Sequence, residues 1–256
     1  MCLRIASEAG RSRLDRCYQR GSMKVRFPRQ YDTNVPEAVL LNTAGGITGG
    51  DRFSVKTEVA AGGALTLTSQ AAERIYRSPG GEGRVDVALT VGGGARLDWL
   101  PQETILFDGG RLARTLDVAM EADAELVLCE AVILGRAAHG ETVREGLVRD
   151  RWRIRRGGRL VYADYLNLHG DRGLDGTATL AGKRAFATFL VVAAGAEKRA
   201  DAVRAALDGC PATAGASAWD GMLAARIVAD DGAALRKSII TLCDAAAIRL
   251  PRAWSA

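Results

Sequence analysis

Four acidic residues, Glu73, Glu103, Glu130 and Asp164, are the side chains whose placement most suggests chemistry. Each follows the second strand of a repeating unit, and Asp51 closes a glycine-rich stretch. Two carboxylates held at a fixed separation are what a glycoside hydrolase needs, one as acid and one as nucleophile or base. Acids at the corners of a repeat can equally satisfy buried backbone and arginine groups, as Glu73 with Arg74 or Glu130 with Arg136 would do. Other reactive groups are sparse. His139 and His169 each stand alone, and no Gly-x-Ser-x-Gly elbow accompanies them. No His-x-x-x-His or Cys-x-x-Cys spacing offers a tight metal site.

The glycine-rich stretch is Asn42-Thr43-Ala44-Gly45-Gly46-Ile47-Thr48-Gly49-Gly50-Asp51. Consecutive N–H groups in such a loop can cradle an anion. A phosphate loop, however, continues into Gly-Lys-Ser/Thr and a helix. Here Asp51 and a strand pattern follow, with Phe53, Val55, Thr57 and Val59 on one face and charged or polar residues on the other. A tight structural turn is the alternative.

Stepping outward, the elements that must hold these residues recur. Phe53–Val59, Val85–Val91 and Leu116–Met120 each alternate as a strand, reach a tight turn, and continue into Ala64–Leu67, Ala95–Trp99 and Ala124–Leu128. A looser fourth copy runs from Trp152 through Gly157-Gly158 to Tyr162. A period of about thirty residues with strand, turn and strand in each copy predicts stacked coils, because one unit cannot bury its apolar face alone. The expected fold is all-β, a β-helical or solenoid-like stack forming a single domain over 1–256. Residues 1–22 read as an irregular lead-in. Helices are expected only late, over 196–208 and 233–249, the second carrying a Leu235, Ile239, Leu242 and Ala246 stripe, capped by Asp231 and ended by Pro251. Such a stripe either packs on the protein's own core or presents a face to a partner.

Bulk properties narrow the classes. Net charge is +5, spread along the chain, so no nucleic-acid footprint is expected. Cys2, Cys17, Cys129, Cys210 and Cys243 are odd in number and widely spaced, which predicts free thiols in a reducing, cytoplasmic setting. No run approaches the roughly eighteen apolar residues of a membrane helix.

The glycine stretch, Ser69-Gln70-Ala71-Ala72-Glu73-Arg74-Ile75-Tyr76-Arg77, Trp99-Leu100-Pro101-Gln102-Glu103-Thr104-Ile105-Leu106-Phe107-Asp108-Gly109, Gly135–Glu141 and Pro251-Arg252-Ala253-Trp254 together resemble the urease accessory protein family UreD, called UreH in some bacteria. The match runs from about Lys24 onward in the family's order, a set of motifs specific as a whole. His139 departs from it, standing where the family more often has an apolar residue such as Met. The resemblance implies a non-enzymatic β-helical scaffold. It would bind UreF directly and the GTPase UreG through UreF, dock on apo-urease, and help insert nickel. It further implies no stably bound cofactor, with nickel as transient cargo along an internal route. The positions matching the family's polar interior are Asp51, Glu73, Glu130 and Asp164, with Arg136 expected to hold Glu130. Leu235, Ile239, Leu242, Arg252 and Trp254 are the expected UreF surface. Carboxylates and water suit an ion in transit, since thiolate or imidazole cages release nickel slowly. A β-helical carbohydrate-active enzyme with paired carboxylates is the competing reading, although only 5% of residues are aromatic and no export signal is seen.

Overall fold

The chain opens in a strand pair, not in an irregular lead-in. In the computed structural model, which describes residues 1–29, 33–171 and 174–254, β1 (Cys2–Glu8) and β2 (Arg11–Tyr18) form an antiparallel hairpin. Ala9 and Gly10 both take positive φ, 48° and 73°, the geometry of a two-residue hairpin turn. Leu3 and Ile5 are fully buried, whereas β2 is exposed along nearly its whole length. That exposure explains why 1–22 carries so little apolar alternation. A second antiparallel pair follows, β3 (Met23–Arg26) with β4 (Glu37–Asn42).

The predicted repeats then appear as coils. The first is β5 (Arg52–Val59), β6 (Ala64–Ser69) and β7 (Glu73–Ile75); the second is β8 (Gly83–Val91), β9 (Arg96–Trp99) and β10 (Thr104–Leu106). The third is β11 (Arg111–Met120) and β12 (Glu125–Leu134), and β13 (Leu147–Arg156) starts a fourth. Strands of successive coils pair in parallel, so equivalent residues stack: Val55 on Val87, Val87 on Leu116, Leu116 on Trp152, each at most 2% exposed. The opposite wall stacks Leu65 on Leu97 on Leu126. The result is an all-β, solenoid-like stack of about four coils.

The fourth copy departs from the expected coil. β13 turns back at Gly157 and Gly158, both left-handed, into β14 (Arg159–His169), its antiparallel neighbour in the same sheet. The earlier corners, at Gly62 and Gly94, carry a single left-handed residue and direct the chain across to the other wall. One sheet therefore runs β14-β13-β11-β8-β5-β1-β2.

The other sheet extends past β12 through β15 (Ala185–Val192), then β17 (Met222–Ala229), then β16 (Thr213–Trp219), all antiparallel. Its outer face is covered by α1 (Ala200–Asp208), preceded by a short 3₁₀ turn from Ala196, and by α2 (Gly232–Ala245). Both helices lie where the sequence predicts them. Asp231 caps α2 as expected, accepting from the Ala234 N–H at 2.8 Å. The helix stops at Ala245, short of 249, and Ala247 just beyond it takes φ 53°. β12 and β15 are buried on both faces, by the solenoid interior and by the helices, so they read as continuous apolar runs.

Candidate functional site

The interior between the two sheets is apolar above and below, with a polar layer between. Along β11 the inward residues run Leu112, Arg114, Leu116, Val118 and Met120, so Arg114 places a guanidinium where the pattern demands an aliphatic side chain. In the next coil, Asp150 of β13 is its register partner. From the facing wall, Glu130 of β12 points inward two residues after Leu128. Arg114 joins the three: Nη1 donates to Glu130 and Nη2 to Asp150. Trp99 Nε1 donates to the other Glu130 oxygen at 2.7 Å.

Burial governs the electrostatics here. Desolvation raises the Glu130 pKa, Arg114 opposes that shift, and the nearby Asp150 charge adds to it. Burial also works against the charge on Arg114, yet its two acidic partners carry its pKa above the ordinary value.

Two cavities meet at this cluster. A larger one, about 210 Å³, is lined by Asn42, Glu73, Trp99, Gln102, Arg114 and Glu130 among others. A smaller one of about 10 Å³ lies beyond, between Arg114, Glu130, Asp150, Trp152 and Asp164; a space of that size holds on the order of one water. Glu73 accepts from Asn42 Nδ2 at 3.1 Å, and burial raises its pKa. Asp164 accepts from Arg226 at 2.6 Å.

Glu73, Glu130 and Asp164, three of the four acids expected along the route, thus line two cavities that share Arg114 and Glu130 as walls. They do not stack on one another in register, since Glu73 pairs with Thr104 and Thr104 with Val132, two residues past Glu130. Asp164 reaches the layer from the opposite sheet, through the β13–β14 hairpin. Asp51 does not line either cavity; its carboxylate accepts from the Thr48 N–H at 2.9 Å and closes its own turn. Arg136 does not hold Glu130. Left-handed Gly135 turns the chain outward, and Arg136 is exposed, pairing with Glu141 at 2.9 Å and lying 4.4 Å over the Phe107 ring. His139 is likewise exposed, in a short 3₁₀ turn. Glu103 pairs with Arg236 of α2 at 2.8 Å.

The expected partner surface is also revised. Leu235, Ile239 and Leu242 are wholly buried against the second sheet, and Trp254 is 2% exposed, its Nε1 donating to the Leu100 carbonyl at 3.0 Å. Of that set only Arg252 is exposed. An amphipathic stripe at a chain end carries no information about which surface it covers, and here a sheet is the closer one.

Sequence reading missed Arg114, Asp150 and Trp99. The signal was present in β11: the alternation taken from Leu116 extends back to Leu112, and Arg114 interrupts it.

Against protein families, the model described as UreD urease accessory protein matches residues 1–255. This chain belongs to the UreD family. It is 49% identical to the urease accessory protein UreD of Chelativorans sp. (strain BNC1) over 249 residues, covering 96% of this chain and 89% of that one. It is 46% identical to the UreD of Rhizobium leguminosarum bv. viciae over 255 residues, 96% of this chain and 90% of the relative. With the Azorhizobium caulinodans UreD it shares 44% over 256 residues, 99% and 94% of the two chains. The family match begins at residue 1, so it takes in the β1–β2 hairpin that the motifs alone left out. Among the described residues no helix of this UreD-family chain is long and apolar enough to cross a membrane.

Proposed function

We propose that this chain is a non-catalytic scaffold of urease maturation, acting in the cytoplasm. It links a UreF–UreG assembly to apo-urease and gives nickel a polar passage between its two sheets. The observation that carries the reading is the run of Glu73, Glu130 and Asp164 along two cavities that share Arg114 and Glu130 as walls. Carboxylate oxygens bind a divalent ion weakly enough to release it, which is what a route requires and a storage site does not. The carbohydrate-active alternative gains nothing from the geometry. Glu130 and Asp150 are buried and bridged by one guanidinium, so neither is poised for acid–base work on a polymer.

The test is the nickel content of urease activated by Glu130→Leu and Asp164→Leu proteins, at matched amounts of assembled accessory complex. Reduced nickel with an intact complex is expected. Full loading by both variants would mean the ion takes another route.

A further inference from the structure

The wall between the two cavities is made of charge. Arg114 and Glu130 line both spaces. The guanidinium crosses from β11 to reach Glu130 on the opposite wall and Asp150 on the next coil. Two carboxylates therefore share one cation, and the cluster has one negative charge more than positive when all three groups are ionised. Its hydrogen bonding is also incomplete. The Asp150 side chain is 8% exposed, yet its Oδ1 has no partner among the described residues, nor has Arg114 Nε. Buried polar atoms are seldom left so, and each one costs stability. Asp150 lines the smaller cavity together with Glu130 and Asp164.

From this geometry we infer that Arg114 is a removable plug: it holds the place of a divalent metal ion between Glu130 and Asp150, and withdraws when such an ion arrives. The inference rests on the passage proposed above and adds the residue that closes it. A divalent ion matches the two carboxylates in charge, which one guanidinium does not, and their oxygens are ligands a first-row ion accepts. Exchange of one cation for another keeps the buried acids paired throughout. Neither is left uncompensated in low dielectric, the outcome that makes breaking a buried ion pair so costly. The displaced side chain is long and unbranched, and the cavity of about 210 Å³ that it already lines gives it space to move into. Trp99 keeps Glu130 fixed meanwhile through its indole N–H.

The experiment is nickel binding to the full-length chain by equilibrium dialysis, comparing the wild type, Arg114→Met, and Arg114→Met combined with Glu130→Gln and Asp150→Asn. Folding is checked by circular dichroism. Arg114→Met is expected to gain one nickel site per chain, bound roughly tenfold or more tighter than anything in the wild type, or about 1.4 kcal/mol. The triple variant is expected to lose it. A folded Arg114→Met protein with wild-type nickel binding overturns the inference, as does a gain that survives in the triple variant. If Arg114→Met does not fold, Arg114→Lys decides: its ammonium reaches one carboxylate and frees the other, and unchanged nickel binding there overturns the inference too. The passage itself fails in a different assay, by full urease loading with Glu130→Leu and Asp164→Leu, so the two failures are distinguishable.

Discussion

Trp99 Nε1 donates to Glu130 Oε1 across 31 residues of sequence, one coil of the solenoid, at 2.7 Å. The same step joins Asn42 to Glu73 at 3.1 Å. Each acid that lines the larger cavity is therefore held by a donor 31 residues earlier in the chain, and the stacking that builds the fold also orients its carboxylates. Trp99→Phe keeps the ring and removes the donor, leaving one oxygen of a buried carboxylate unpaired. A loss of about 1–3 kcal/mol is expected, read as a lower urea midpoint with unchanged slope. An unchanged midpoint would show that water replaces the indole.

Glu73 gives a pH dependence of definite sign. Burial holds its folded pKa above the ordinary carboxylate value, partly offset by Asn42. The unfolded chain therefore ionises first, and this group lowers stability as pH rises through the ordinary value toward the folded one. Below that window it is neutral in both states and contributes nothing. The stability advantage of Glu73→Gln over the wild type should thus be near zero at about pH 3.5 and grow toward pH 7. Urea unfolding across that range checks it, and an advantage that shrinks with rising pH would reverse the assignment.

The thiols sort by burial. Cys243 is pushed up to about 12 and Cys129 well above its ordinary value, both by desolvation between α2 and the second sheet. Cys17 is exposed. A thiol-specific chromogenic reagent near neutral pH should label Cys17 promptly, and Cys129 and Cys243 only as the protein unfolds. Prompt native-state labelling of either buried thiol, mapped by mass spectrometry, would show that α2 opens readily.

Gly49 and Gly50 separate two reasons for needing glycine. Gly50 takes φ +89° with open space around it, so Gly50→Ala meets only backbone strain, about 1–2 kcal/mol. Gly49 has an ordinary φ, but a Cβ there would collide with Ser78 and the Gly80 carbonyl of the neighbouring corner. Gly49→Ala should be the more destabilising of the two by thermal melting. The opposite order would mean that the corner yields.

Much of the fold was readable because its signals are periodic. Leu65, Leu97 and Leu126 recur at the coil spacing and do stack. Strands exposed on both faces leave no such trace, which is why β2 was invisible. The candidate site was legible in its acids but not in its pairing. Glu130 could be chosen from sequence, whereas its partner could not, since Arg136 is six residues away and Arg114 sixteen, on the opposite wall. Which of two arginines faces inward depends on where an alternation begins and where a corner turns out. Gly135 decides the second by its left-handed φ. The α2 stripe was legible as a stripe, and only the sheet beneath it reveals what it covers.

The hairpin at Gly157 and Gly158 has a consequence for the size of the molecule. A parallel stack has no internal reason to end, since every coil offers the next an identical ladder of donors and acceptors. By reversing direction within one sheet, β14 keeps the chain on the wall it has just followed and does not cross to the facing one, so the coil begun by β13 is left unclosed. Two adjacent residues with left-handed backbones thus act as a stop signal for elongation. They fix how many rungs the interior has, and they set Asp164 at its last one.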